Sequence, residues 1–344
     1  MTYRALDTRY DAMKYRRSGR SGLKLPAISL GLWQNFGGSR DYPSAFEILS
    51  TAFDHGITHF DLANNYGPPP GAAEELFGDV MARDFRPYRD ELIISSKAGY
   101  GMWPGPYGEF GSRKNLLASA DQSLKRLGLD YVDIFYSHRY DPNTPLEETM
   151  GALAHLQRQG KALYVGVSNY PREATREAHR ILAAMGVTLT IHQPSYSILN
   201  RWIEEDGTID ACGELGVGVI PYSPLAQGVL SGKYSKGKDG ASRAGRAGST
   251  VGTRWLAPKV LAAVDALAKV AKARKQTMSQ LALAWVLRRS EITSALIGVR
   301  TIEQLKDCLG ALDNLEFTDK ELKAIDAATG DARLDSHPPL SLPD

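Results

Sequence analysis

Four polar side chains punctuate the apolar runs in the first half of the chain. Asp61 and Tyr66 stand five residues apart, Lys97 ends a run that begins at Leu92, and His138 follows one that begins at Val132. The chemistry such a set can do is proton transfer. In water a tyrosine titrates near about 10 and a lysine near about 10.4, so neither is a useful acid or base at neutral pH unaided. A Lys97 ammonium beside Tyr66 favours the phenolate and lowers the tyrosine's pKa, while Asp61 keeps that ammonium charged and in place. Tyr66 then becomes a usable general acid, a role worth about 10²–10⁴ in rate. His138 can donate a hydrogen bond to the oxygen that takes the proton. Singly, each residue has an ordinary reading: a loop-capping aspartate, a solvated lysine, a satisfied core histidine. The combination carries the functional one.

Such residues must be delivered by recurring elements, and from Pro26 onward one unit recurs. Each unit is a short apolar run, a polar loop and a segment of helical period. Strands are expected at 28–32, 57–61, 92–97, 132–137, 163–168, 189–193, 217–222 and 295–298. Several are nearly continuous apolar runs, as parallel strands covered on both faces require. Helices are expected at 44–55, 72–81, 112–127, 146–159, 171–185, 203–215, 278–289 and 301–312. Ser112 is placed to cap the third, and Pro171 suits a first helical position. Eight strand–helix units in register predict a (β/α)8 barrel, in which strand C-termini face the active site. Asp61, Lys97 and His138 then converge from neighbouring strands, with Tyr66 in the loop after the second. An open dinucleotide-binding sheet is the alternative, weakened because no G-x-G-x-x-G follows any strand.

A hairpin at about 13–25, turning through Ser18 to Gly22, precedes the barrel, which runs to about 312. Extra helices are expected at 258–273 and 318–328, the second leading into a tail that ends at 344. The reading is one domain over 1–344. The spacing breaks only between the seventh and eighth strands, where the basic, glycine-rich stretch 232–248 lies. Phosphate sites in these barrels commonly form there. Lys233 and Arg243 would supply charge-assisted contacts, and the glycines close backbone approach. The ordinary reading is a flexible solvated loop. A Walker-type loop is rejected, because Gly228 to Lys233 is one residue short and Tyr234 supplies no aliphatic hydroxyl.

Composition narrows the class. Of 344 residues, 43% are hydrophobic and 23% charged, as in an ordinary soluble globular protein, and the net charge of +2 argues against a general polyanion binder. No apolar run nears membrane-spanning length, and the N-terminus carries charge where a secretory signal needs an apolar block. Two cysteines, Cys212 and Cys308, make neither a disulfide framework nor a zinc site. These features predict a cytoplasmic protein with no membrane or nucleic-acid partner.

The stretches 56–66, 119–134, 160–169 and 222–228, with Gly56-Ile57-Thr58-His59-Phe60-Asp61 and Tyr222-Ser223-Pro224-Leu225-Ala226-Gln227-Gly228 among them, resemble the aldo-keto reductases over nearly the whole chain. Within that family, 66–71 and 191–202 resemble the bacterial L-glyceraldehyde 3-phosphate reductase group, near the potassium-channel β subunits. The family's Asp-Tyr-Lys-His tetrad falls on Asp61, Tyr66, Lys97 and His138.

The resemblance implies NADPH lying across the barrel mouth. The nicotinamide amide would meet Ser168, Asn169 and Gln193, with Tyr222 on the ring and Trp33 and Asp61 close by. The pyrophosphate would follow Ser223, Pro224, Leu225, Gln227, Gly228 and Lys233, and the adenosine end Arg243, Gly298, Arg300, Gln304 and Asp307. Two departures bear on coenzyme preference. Arg300 stands where the branch often has a small residue, and Asp307-Cys308 where it often has Glu-Asn. The first strengthens 2′-phosphate binding and the second weakens an adenine contact.

The function implied is NADPH-dependent reduction of short aldehydes, L-glyceraldehyde 3-phosphate and methylglyoxal among them. Trp33, Trp103 and Tyr107 would wall the substrate pocket with Tyr66 and His138, and Arg139 or Arg201 would meet a substrate phosphate. Assembly into a homo-oligomer is left open. The other reading is a nucleotide-sensing accessory subunit of a membrane channel. A metal-dependent hydrolase fares worse, since His138 and His192 lack companions at ligand spacing.

Overall fold

In the computed structural model, which describes residues 3–38, 40–232 and 253–334, the parallel apolar runs form a barrel. An antiparallel hairpin, β1 (Tyr15–Arg17) and β2 (Lys24–Pro26), comes first. The barrel strands are β3 (Ile28–Gly31), β4 (His59–Asp61), β5 (Ile93–Ala98), β6 (Val132–Ser137), β7 (Ala162–Ser168), β8 (Leu189–Gln193), β9 (Gly218–Val219) and β10 (Ala295–Ile297). They form one eight-stranded sheet, with β10 beside β3 at one edge and β9 at the other. Thr293 N–H bonds to Val219 O at 2.7 Å and Leu296 N–H to Pro221 O at 2.9 Å, which closes the ring.

Helices α1 (Tyr42–Asp54), α2 (Ala72–Val80), α3 (Arg113–Leu127), α4 (Leu146–Arg158), α5 (Arg172–Ala184), α6 (Trp202–Glu205), α7 (Thr208–Leu215), α8 (Pro258–Ala273), α9 (Met278–Leu287), α10 (Ile302–Leu309) and α11 (Asp319–Thr329) surround it. Among the described residues the two helices beyond the eightfold repeat are α8 and α11.

Three local expectations are corrected. The seventh strand stops at Val219 instead of Tyr222, because Pro221 has no N–H for a continuous ladder; only isolated bridges carry the pairing on. The single helix expected at 203–215 is two, because Gly207 turns left-handed at φ 76° between them. Pro171 is the extended N-cap of α5 rather than its first helical residue. Ser112 does cap α3, accepting from Asn115 N–H.

The hairpin closes the end of the barrel away from the strand C-termini. Leu23 and Leu25 pack with Ile134, Tyr136, Ile191, Ile220 and Leu296 in the barrel interior. Ser18 Oγ donates to Thr190 O, and a Cβ on Gly218 would come within 2.2 Å of Ser18 Oγ. One end is therefore plugged, and the other, where Asp61, Lys97 and His138 emerge, is open. No helix among the described residues is long and apolar enough to cross a membrane.

Candidate active site

The four residues singled out by type and spacing meet at the open end. Asp61 ends β4 and Lys97 lies near the end of β5, and both side chains are fully buried. Lys97 Nζ bonds to Asp61 Oδ2 at 2.6 Å, to Leu62 O at 2.6 Å and to Tyr66 Oη at 3.2 Å. An ammonium has three donors, and these three partners use them all. The Tyr66 oxygen thus accepts from Lys97, and its own O–H remains for a second partner. The His138 ring follows β6, with its centroid 5.9 Å from that of Tyr66.

The other oxygen of Asp61 is also held. Oδ1 accepts from Ser95 Oγ at 2.7 Å and from Gln193 Nε2 at 3.0 Å. Beyond it, Ser168 Oγ donates to Gln193 O, Asn169 Nδ2 to Ser168 Oγ and His138 O, and Tyr222 Oη to Asn169 Oδ1. The ends of six strands are stitched together in this way.

One expectation about acidity is reversed. Burial pushes the Tyr66 phenol well above its ordinary range, and the Asp61 carboxylate adds to the effect. Burial also pulls the Lys97 ammonium down, against the opposing pull of Asp61. Desolvation of the phenolate outweighs the lysine's attraction, so the unliganded site keeps Tyr66 protonated. His138 is pushed well down by burial, then by Lys97 and Arg139, and is neutral at pH 7. A neutral imidazole still has one N–H to donate, and its Nδ1 has no partner among the described residues.

A cleft of about 710 Å³ runs from this cluster across the barrel mouth, within the size range of small-molecule sites. Trp33, Asp61, Tyr66, Tyr222, Ser223, Pro224, Leu225, Gln227, Gly228, Gly298, Arg300, Gln304 and Asp307 all line it. Ser223 and Gln227, which line it, and Gln34, Asn169 and Ala226, which adjoin lining residues in the chain or by hydrogen bond, all have positive φ, from 47° to 61°. Strained backbone of this kind gathers at binding sites. Lys233 and Arg243 lie outside the described residues.

The expected substrate residues divide. Trp33 lines the cleft, whereas Trp103 and Tyr107 are not among its lining residues, and Tyr107 is 49% exposed. Arg201 does not present a free cation to a substrate. It is 5% exposed, pairs with Asp326 at 2.7 Å and stacks on Trp285, so its position beside the strand-end segment is a packing role. Arg139 pairs with Glu109 and lies over Phe110 and Tyr100.

Sequence reasoning missed Tyr100, whose ring packs edge-on to His138 at 4.7 Å. Its place just beyond the end of β5 was the available signal. It also missed Asn35 and Arg40, which reach the cleft from the loop after β3. Among the described residues no three His, Cys, Asp or Glu side chains gather where they could hold a metal ion.

With the site assembled, its relatives can be placed. The aldo/keto reductase family model matches residues 27–329. The chain is 55% identical over 339 residues to the L-glyceraldehyde 3-phosphate reductase of Escherichia coli (strain K12), covering 97% of each chain. It is 34% identical over 304 residues to a probable voltage-gated potassium channel subunit beta of Arabidopsis thaliana, covering 88% of this chain and 92% of that one. A protein of the same description from Oryza sativa subsp. japonica is 33% identical over 313 residues, covering 90% and 94%.

Proposed function

We propose that this chain, which belongs to the aldo/keto reductase family, reduces short hydroxylated or phosphorylated aldehydes to alcohols with NADPH. L-glyceraldehyde 3-phosphate is the first candidate substrate, on the likeness to the Escherichia coli reductase, and methylglyoxal the second. The observation that carries the mechanism is the use of all three Lys97 donors on Asp61, Leu62 and Tyr66. It leaves the Tyr66 proton available to a ligand at the floor of the cleft.

The donor set suits a nicotinamide coenzyme. Arg40 and Arg300 offer charge for phosphate, and the left-handed backbone around Ser223 to Gln227 supports anion binding by amides. Asn169 Oδ1 and Gln193 Oε1 keep acceptor capacity for a carboxamide, since a carbonyl oxygen has two lone pairs. When bound, the coenzyme supplies the hydride for the carbonyl carbon.

The protein's own residues act on the oxygen. Tyr66 donates its proton as negative charge develops there. Lys97 then stabilises the phenolate, Asp61 holds Lys97 in place, and His138 donates a second hydrogen bond to the same oxygen. Tyr222 and Trp33 flank the hydride-transfer region.

NADPH oxidation, followed with L-glyceraldehyde 3-phosphate, methylglyoxal and unsubstituted aldehydes and repeated with NADH, tests the assignment. Tyr66→Phe should lose about 10²-fold or more in kcat. Full activity in that variant overturns the mechanism. The likeness to potassium-channel β subunits supports a second reading as an accessory subunit, favoured if turnover is negligible with every aldehyde while NADPH still binds.

A further inference from the structure

Four polar residues inside the barrel take no part in the mechanism above. Ser29 on β3, His59 on β4, Ser95 on β5 and Ser294 just before β10 are all fully buried. A buried polar group without a partner costs about 1–3 kcal/mol, and these four solve the problem with one another. Ser294 Oγ and Ser29 Oγ are 2.6 Å apart, Ser29 Oγ and His59 Nδ1 2.9 Å, and His59 Nε2 and Ser95 Oγ 3.0 Å. Ser95 Oγ then donates to Asp61 Oδ1 at 2.7 Å.

The direction of every bond follows from the last one. An ionised carboxylate only accepts, and a serine hydroxyl has one proton to give. Ser95 gives its proton to Asp61, so His59 must donate to it from Nε2. A neutral imidazole has one donor and one acceptor, so Nδ1 accepts from Ser29. Ser29 has then spent its proton and accepts from Ser294. Burial pushes His59 down to about 4, so the ring is neutral, as this pattern requires.

We propose that His59 is a positioning residue of the active site, the central link of a one-way donor chain from Ser294 through Ser29 and Ser95 that fixes and stabilises the Asp61 carboxylate, and through it Lys97. The chain rests on the reading of Asp61, Lys97 and Tyr66 as the proton-transfer unit. Dipoles aligned head to tail polarise one another in a low-dielectric interior, so the far links reach the carboxylate without touching it. Satisfied core polarity alone would have no effect on turnover.

Imidazole ¹⁵N spectra of the wild-type protein test the direction, with His59 assigned by the resonances missing from His59→Gln. The Nε2–H tautomer is expected at pH 7. An Nδ1–H tautomer, or a charged ring, overturns the chain whatever the enzyme does. Kinetics test its consequence. His59→Phe should lower kcat about 10-fold, the worth of one weakened bond to a charged group, with KM for NADPH unchanged. His59→Gln, which restores one donor and one acceptor, should recover most of the loss, and Ser294→Ala should show a smaller drop at unchanged KM. Wild-type kcat in folded His59→Phe and Ser294→Ala would remove the proposal while leaving the reductase reading intact. Should His59→Phe not fold, the tautomer and Ser294→Ala still decide. Failure of the wild-type protein to reduce any aldehyde would remove the reductase reading, and the tautomer would still report on the chain.

Discussion

Asp61→Asn separates what the buried ion pair does for stability from what it does for chemistry. The substitution keeps the side chain's shape but removes the charge that faces Lys97 at 2.6 Å, where neither side chain is exposed. Lys97 keeps Leu62 O and Tyr66 Oη, both neutral. Removing one partner of a buried pair typically costs about 3–5 kcal/mol. The cost has a ceiling, because the lysine can shed its proton. From about 10.4 to pH 7 is about 3.4 units at about 1.36 kcal/mol each, or about 4.6 kcal/mol. A loss of about 3–4.6 kcal/mol is a large part of the roughly 5–15 kcal/mol that holds a domain folded. The double variant Asp61→Asn/Lys97→Met buries no charge and should regain most of that stability. Neither variant should regain activity, since Tyr66 has lost its lysine or the lysine its charge, and kcat should fall about 10²-fold or more in both. Urea unfolding at pH 7 and aldehyde-dependent NADPH oxidation give the two readouts. If the double variant is less stable than Asp61→Asn, or if Asp61→Asn unfolds at the wild-type urea concentration, the argument from desolvation is wrong.

Acid should destabilise the fold through its neutral histidines. Burial pushes His59 and His192 down to about 4, so the unfolded chain binds protons that the folded one refuses; their contribution is intact above about 6.5 and fades as pH falls toward 4, by on the order of 2 kcal/mol per histidine at pH 5. A urea midpoint unchanged between pH 7 and pH 5 contradicts this. Gly166→Ala sets a methyl 2.6 Å from the buried Tyr136 ring and 2.8 Å from Ile191 Cγ2, so calorimetry should show a loss of about 1–3 kcal/mol from overpacking. Lys97 Nζ lies 5.7 Å from that ring, and kcat should fall with stability. Arg300→Ala should raise KM for NADPH more than KM for NADH, because Arg300 lines the cleft and a guanidinium suits a phosphate; an equal change in both would place its contact elsewhere than at the 2′-phosphate.

The parts that were legible in sequence share a cause. Continuous apolar runs of strand length, each closed by a polar residue, mark buried parallel strands and their exits together, so Asp61, Lys97 and His138 could be named as neighbours before any contact was known. β6 and β8 agree with their expected limits, 132–137 and 189–193, because nothing local opposes the pattern. Where Pro221 or Gly207 supplied a stronger local rule, the pattern gave way. The donor chain through His59 was out of reach for another reason. Ser29 and Ser294 are 265 residues apart, and nothing in either stretch says that a serine on the first barrel strand will face one at the foot of the last.

The reversal at Tyr66 marks a more basic limit. Residue types and spacing say which charges meet, and a lysine beside a tyrosine suggests a depressed phenol. They do not say how much water is left, and here the loss of water wins. The consequence for a reductase is favourable rather than contrary. A donor that must give one proton per turnover has to be loaded at neutral pH, which a depressed phenol would not ensure. With the phenol raised, the driving force for transfer must come from the substrate, whose oxygen becomes strongly basic as hydride reaches the carbon. Lys97 then does its work late, stabilising the phenolate that transfer leaves behind, and the proton moves only when there is an oxygen ready to take it.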